Sequence, residues 1–412
     1  MSKYRFEERP EFRWWVTPKP LAEKPIHNWF IFPHSFTTEL VHALIEEWSL
    51  SPGDLILDPF AGAGTTILAA KEKGIPAKGY DISPLAELTT RAKIATYNPT
   101  RLASAWKDIE KVLDARRWNG VSRDYPDLVK KALPGKLISA FDAIARAVDD
   151  LAASDVERDF FRMALISIIP AFSRAEATGG WLKWVDKSKG VRQFPEALAY
   201  QVERMLNDLQ EARLPRPVRG STWRVAQADA RHLPDREETY SALITSPPYP
   251  NRHDYTRVFG VELMFGFLDW EATRRLRYQS FHSHPEARPE RPPANGYAPP
   301  RSLKKTLALI RQDKHDPKVT RMLAGYFLDL YLVLREANRV CKRGARMAFI
   351  VGNAQYYGQP IKVDELTAEI GEQAGLTCKE ILIARYRGNS AQQMGRYGRK
   401  PSRESLVIFN RA

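Results

Sequence analysis

Cysteine is scarce: the 412 residues include two, Cys341 and Cys378. So few and so far apart, they make neither a disulfide framework nor a metal-ligand spacing, which suits a reducing compartment. No uninterrupted apolar run is long enough to cross a bilayer. The first nine residues, Met1-Ser2-Lys3-Tyr4-Arg5-Phe6-Glu7-Glu8-Arg9, lack the apolar centre of a secretory signal. The expectation is a soluble, cytoplasmic protein with no membrane partner and no metal. Acidic residues are also in deficit, with 49 Asp plus Glu against 63 Lys plus Arg and a formal charge of +14. Such an excess favours a polyanionic partner, nucleic acid first. The hydrophobic share of 43% and the charged share of 27% are ordinary for a globular chain with a large core.

No internal repeat is visible, and the pattern changes along the chain. Residues 1–30 mix aromatics with charge (Phe12, Trp14, Trp15, Trp29) and read as an irregular arm. Leu40, Val41, Leu44 and Ile45 recur at helical spacing over Thr37–Trp48, and the turn Ser51-Pro52-Gly53-Asp54 follows. Leu55–Asp58 reads as a strand, Thr65–Lys73 as a helix, and Ala77–Asp81 as a second strand. The region from Pro99 to Pro217 then reads helical, with a strongly apolar segment around Phe160 and Phe161. Strands resume at Trp223–Ala228, Ala242–Thr245 and Arg346–Val351. Helices are predicted over Gly325–Val340 and Val363–Ala374, and the last strands over Glu380–Arg385 and Ser405–Asn410. Six prolines between Pro285 and Pro300 exclude helix and central strand there, leaving a mobile or extended loop. Strands alternating with helices imply an α/β fold with a doubly wound, mainly parallel sheet.

Two phrases carry chemistry. In Asp58-Pro59-Phe60-Ala61-Gly62-Ala63-Gly64-Thr65-Thr66 a strand runs into a glycine loop, where backbone can approach a ligand at the sheet's carboxyl edge. A Gly-x-Gly alone marks no more than a tight turn; the longer phrase is far more specific. It lacks the third glycine of the dinucleotide fingerprint and the Gly-Lys-Ser/Thr ending of a phosphate loop, so NAD and ATP recede. Asp81 ends the next strand, where a carboxylate can accept from both hydroxyls of a ribose. The second phrase is Ser246-Pro247-Pro248-Tyr249, placed directly after a strand. Its prolines fix the backbone, so a polar side chain, a carbonyl and an aromatic ring form a rigid platform for a planar amine.

Together the phrases resemble the S-adenosylmethionine-dependent methyltransferases that modify exocyclic amines of DNA bases. The resemblance covers about residues 27–96 and 222–268, and more loosely 322–411. It implies a Rossmann-like methyltransferase sheet, here carrying a long helical insertion. Asp58, Phe60, Ala61, Gly62, Gly64 and Thr65 would surround the methionine end of the cofactor, Asp81 would hold its ribose, and Asp229 would meet its adenine amine. Phe32-Pro33-His34-Ser35-Phe36 is similar to the family motif that helps close the cofactor pocket.

An exocyclic amine is a poor nucleophile because its lone pair is delocalised into the ring. Ser246 and the Pro247 carbonyl are suited to accept its protons, with Pro248 holding the turn and Tyr249 stacking on the base. The target base must first leave the duplex. A leading Ser resembles cytosine-N4 enzymes more than adenine-N6 enzymes, which more often carry Asp. Cytosine-C5 chemistry needs a cysteine after proline, and Cys341 and Cys378 follow Val340 and Thr377. No Cys/His cluster exists for zinc-dependent deamination.

The partner implied is double-stranded DNA, with a cognate restriction enzyme or defence complex beside it. Arg252 and Arg257, after the tetrapeptide, are expected to reach phosphates; His253 reads either as a proton acceptor or as a solvated loop residue. Arg385, Arg387, Arg396, Arg399 and Lys400 lie in a stretch to Arg403 that holds two tyrosines and no acid, the clearest nucleic-acid candidate. The alternative for that stretch is a solvated basic loop. Readings of another kind are an RNA guanine-N2 methyltransferase and a non-catalytic DNA-binding subunit. The chain divides into an N-terminal arm with the cofactor-binding half of the core (1–98), the helical insertion (99–218), the catalytic half of the core (219–269), a proline-rich basic loop (270–321) and the C-terminal part of the core (322–412).

Overall fold

A computed structural model describes residues 3–186, 189–212, 214–215, 222–312, 316–388, 398 and 401–412. Its strands are β1 (Phe6–Glu8), β2 (Ile56–Asp58), β3 (Ala77–Asp81), β4 (Ala175–Thr178), β5 (Trp181–Trp184), β6 (Trp223–Gln227), β7 (Tyr240–Thr245), β8 (Cys341–Gly352), β9 (Ala354–Tyr356), β10 (Gln359–Ile361), β11 (Leu376–Arg387) and β12 (Ser402–Arg411). Eight of them form one sheet in the order β1-β11-β12-β8-β7-β2-β3-β6. The run β8-β7-β2-β3-β6 is parallel, and β1 also lies parallel to β11. β12 runs antiparallel to both of its neighbours. The fold is thus α/β with a mainly parallel, doubly wound sheet.

The central strands are buried on both faces, which explains their unbroken apolar character. Side chains alternate between the two faces as the pleat requires. Ile56, Ile244, Ala348 and Ile350 join one core with the helices Thr38–Glu47, Thr65–Glu72 and Pro84–Ile94. Leu57, Leu243, Met347 and Phe349 join the other, against the helices Pro317–Val340 and Val363–Gln373. Strand order reverses between β2 and β7. Such a switch point leaves a crevice at the carboxyl ends of the strands, and both chemical phrases end there.

Several expectations are corrected. The arm contributes β1 to the sheet edge, followed by three short 3-10 turns that bury Phe12, Leu21 and Trp29. Asp208 accepts from the Ile26 amide (3.1 Å) and from Trp29 Nε1 (2.9 Å), fastening the arm to the helix Phe194–Glu211. Among the described residues of 99–212, helices joined by loops predominate, and the hairpin β4–β5 is turned by Gly179-Gly180 with Gly179 at φ +59°. A two-residue glycine turn flanked by β-formers is a hairpin signal, here obscured by the helical context. The insertion's Phe141, Phe160 and Phe194 belong to the same buried cluster as the sheet face.

Residues 285–300 have no helix or strand, as the prolines dictate, yet the segment is pinned: Arg291 Nε donates to Asp329 (2.6 Å) and Tyr331 Oη to the Asn295 carbonyl (2.6 Å). Helices Trp270–Gln279 and Arg301–Gln312 flank it. The helix expected from Gly325 starts at Pro317, because Asp316 caps it by accepting from the Lys318 amide (2.9 Å). β11 and β12 outrun their apolar centres because each is paired along its length.

Candidate active site

β2 delivers Asp58 to the crevice almost wholly buried. Its Oδ1 accepts from Thr245 Oγ1 (2.6 Å) at the end of β7 and from the Phe60 amide (3.1 Å). Burial nevertheless dominates and pushes its carboxyl up to about 6. Gly62, at φ +50°, turns its amide onto Asp81 Oδ2 (3.0 Å), while Asp81 Oδ1 accepts from Ser83 (2.9 Å). Burial raises Asp81 as well. The glycine loop and the second strand's acid are therefore one hydrogen-bonded unit.

Gly64 caps the helix Thr65–Glu72 at φ +80°, where a Cβ would stand 2.8 Å from Thr90 Oγ1. It shapes the loop from behind and does not line the cavity. Thr65 does, and its hydroxyl meets Ser35 Oγ at 3.1 Å.

The cavity at this edge holds, with its open mouth, about 1180 Å³ not filled by protein. Asp58, Phe60, Ala61, Gly62, Thr65 and Asp81 line its floor, and Asp229 lines it just beyond β6. Asp229 is already engaged, since Arg231 holds it through Nε (2.9 Å) and Nη2 (2.6 Å). Arg231 is itself buried and also meets Asp329 at 3.2 Å. The motif around Phe32 forms part of the wall, with the Phe32 ring 4.5 Å from that of Phe259.

Ser246 and Pro248 line the same cavity, while Pro247 and Tyr249 are buried beside them in the chain. The Ser246 hydroxyl donates to the Ile350 carbonyl of β8 (3.2 Å), which leaves its lone pairs free to accept. Tyr249 is 5% exposed, its ring 5.7 Å from the Arg387 guanidinium and 5.8 Å from the His34 ring. His253 is buried rather than solvated; burial, with His34 nearby, lowers its imidazole to about 4, so it is neutral at pH 7.

The arginines fare differently from one another. Arg252 is exposed at φ +66°, over the Tyr356 ring at 5.2 Å. Arg257 is ion-paired with Asp254 (3.2 Å) and Glu286 and lies 4.8 Å from the Trp181 ring. Arg385 and Arg387 both pair with Glu404, which the β11–β12 register places opposite Arg385. The stretch that looks acid-free along the chain is thus neutralised at its start by a buried acid from the next strand. Arg396, Arg399 and Lys400 lie outside the described residues.

Sequence reasoning missed part of the wall. Phe259 and Leu263 line the cavity one helical turn and two turns beyond Tyr255, a spacing that could have revealed them. Phe281 and His284 come from a loop with no local signal, and Arg231 is assigned only by its partners. Cys341 is buried and Cys378 half-buried, both pushed up to about 12 mainly by burial, and neither lines the cavity. Among the described residues, no group of His, Cys, Asp and Glu could hold a metal ion, and no helix is long and apolar enough to cross a membrane.

Three carboxylates ending successive strands, apolar walls and a glycine loop suit a ligand carrying a cation, a ribose and a base. Comparison with known proteins agrees. Residues 4–89 match the N6_N4_Mtase family, described as DNA methylase. The chain is 29% identical over 440 residues to the type II methyltransferase M.BsoBI of Geobacillus stearothermophilus, covering 94% of this chain and 86% of that protein. It is 27% identical over 422 residues to the type II methyltransferase M.AvaI of Nostoc sp., covering 94% and 87%. The chain is thus similar over nearly its whole length to type II DNA methyltransferases, and S-adenosylmethionine is its cofactor.

Proposed function

We propose that this DNA methyltransferase acts within a short recognition sequence and places the methyl group on cytosine N4 of a flipped base. The observation that carries this reading is the single cavity shared by Ser246, Pro248, Asp58, Gly62 and Asp81. When bound, the cofactor supplies an electrophilic methyl group on a sulfonium. Asp58 and the backbone of Ala61 to Ala63 would hold its methionine end, Asp81 would accept from its ribose hydroxyls, and Asp229, held by Arg231, would meet its adenine.

Ser246 Oγ and the Pro247 carbonyl accept the two protons of the target amine. That pairing draws the nitrogen towards pyramidal geometry and aims its lone pair along the line of displacement. A bound cofactor would supply the methyl group to that lone pair by displacement at sulfur, and the surplus amine proton would leave to water. A neutral serine suffices as acceptor because its own proton is occupied by Ile350. Arg252, exposed just after the tetrapeptide, meets the DNA backbone, whereas Arg257, Arg385 and Arg387 are engaged by acids. The type II character of the relatives supports a restriction–modification setting with a cognate restriction enzyme.

The test is mass spectrometry of nucleosides from DNA of cells expressing the protein, beside cells expressing Ser246→Ala. The expected result is N4-methylcytosine with the native chain alone, while Ser246→Ala keeps its affinity for S-adenosylmethionine. N6-methyladenine in its place would move the target to adenine. A mark confined to RNA guanine, or equal turnover by Ser246→Ala, would overturn the reading.

A further inference from the structure

The hairpin β4–β5 lies where the insertion meets the catalytic loop. The Gly179-Gly180 turn packs on the residues after the tetrapeptide so closely that a Cβ on Gly180 would stand 2.9 Å from the Arg252 carbonyl. From there the His253 ring is 5.0 Å from that of His34, which in turn is 5.8 Å from Tyr249. The hairpin tip is therefore two side chains away from the ring assigned to the target base.

Its surface is unusual. Trp181 is 63% exposed and Trp184 42% exposed, two large apolar rings held in water on one four-residue strand. Trp14, Tyr200 and Trp270 are also exposed, but each stands singly on another element. Each hairpin tryptophan is also held by a cation: the Arg257 guanidinium is 4.8 Å from Trp181 and Lys131 Nζ 4.3 Å from Trp184. The exposed cations Arg174 and Lys183 lie on or beside the hairpin, with Lys131 on the Trp184 ring and Arg252 at the tip, against the acids Glu176 and Asp186. Along the strand Trp181 shares a face with Lys183 and Trp184 with Leu182, and Leu182 anchors the hairpin by packing against the main core. Aromatic rings interleaved with cations match the faces of bases and their phosphates, and a two-stranded ribbon fits a major groove.

We infer that β4–β5 is the arm that engages duplex DNA beside the extruded base, with Trp181 and Trp184 against the bases flanking the gap. The inference rests on the methyltransferase reading above. It assigns part of the insertion a task at the substrate: stabilising the opened duplex while Ser246 and Tyr249 hold the target. Trp181 and Trp184 are positioning residues, with no contact to the reacting atoms.

Methyl transfer from labelled S-adenosylmethionine to amplified, unmodified genomic DNA separates the possibilities. Trp181→Ala and Trp184→Ala are each expected to raise KM for DNA roughly tenfold, the scale of one lost base–aromatic stack. Trp181→Phe should recover most of that loss. Cofactor affinity should stay at its native value, as should the thermal midpoint of Trp181→Ala, whose ring is 63% exposed, and Tyr200→Ala should change nothing. Native KM for DNA in both tryptophan variants would overturn the assignment while leaving the enzyme reading intact. Should the native chain bind S-adenosylmethionine yet transfer nothing to DNA, that reading itself fails and takes the arm with it.

Discussion

Asp58 combines two properties that seldom coexist: it is buried among apolar strands, and it faces a cavity assigned to a cationic ligand. Burial raises its carboxyl to about 6, so the ionised form predominates above that pH and the neutral form below it. The methionine ammonium of the cofactor favours the ionised form. Affinity should thus be constant above about pH 7 and fall as pH drops through 6, approaching tenfold per pH unit. Calorimetric titration with sinefungin from pH 5 to 8 measures this, and Asp58→Asn should bind weakly and flatten the profile. A native profile flat down to pH 5 would remove Asp58 from the ammonium site. That Asp58, Asp81 and Ser246 line the cavity was legible because each closes a strand with a polar group at a ligand edge. Arg231 was not, since only Asp229 and Asp329, far apart in sequence, make a buried guanidinium tenable.

At the scale of elements, the loop from Asp58 to Thr66 depends on one backbone conformation. Gly64 stands at φ +80° with Thr90 pressed against its α-carbon. Gly64→Ala should cost about 2–4 kcal/mol, from the left-handed backbone and the clash together. Chemical denaturation checks the loss, and adding Thr90→Ala should restore the part due to crowding and leave the backbone part. Full stability in Gly64→Ala would mean that the loop relaxes without consequence. β2, β3, β6 and β7 were readable from alternation and turn residues. The hairpin β4–β5 was not, because its four-residue strands sit among helices and its pairing is visible only once Thr178 meets Trp181.

For the molecule as a whole, the +14 charge matters through its placement. Not every cation is available: Arg385 and Arg387 share Glu404, and Arg403 pairs with Asp364. The exposed cations around the hairpin and Arg252 remain for phosphates. If four of them make phosphate contacts, DNA affinity should fall roughly a hundredfold between 50 and 200 mM salt, with cofactor affinity unchanged. Retention of a random-sequence duplex pool across that range gives the slope. A flat response would contradict backbone contact.

The residues themselves, through short-range physics, set the chemistry and the order of strands. Alternation of apolar side chains follows the pleat, glycines admit left-handed backbone, and the two prolines after Ser246 stiffen a turn wherever they occur. Those effects act over a few residues and survive in a linear reading. Proximity between distant segments does not. Folding alone put Glu404 beside Arg385, turned His253 inward against His34, and brought the tip of an insertion onto Arg252. Such pairings are set by sheet register and helix packing, where the burial of one side chain depends on a neighbour more than a hundred residues away.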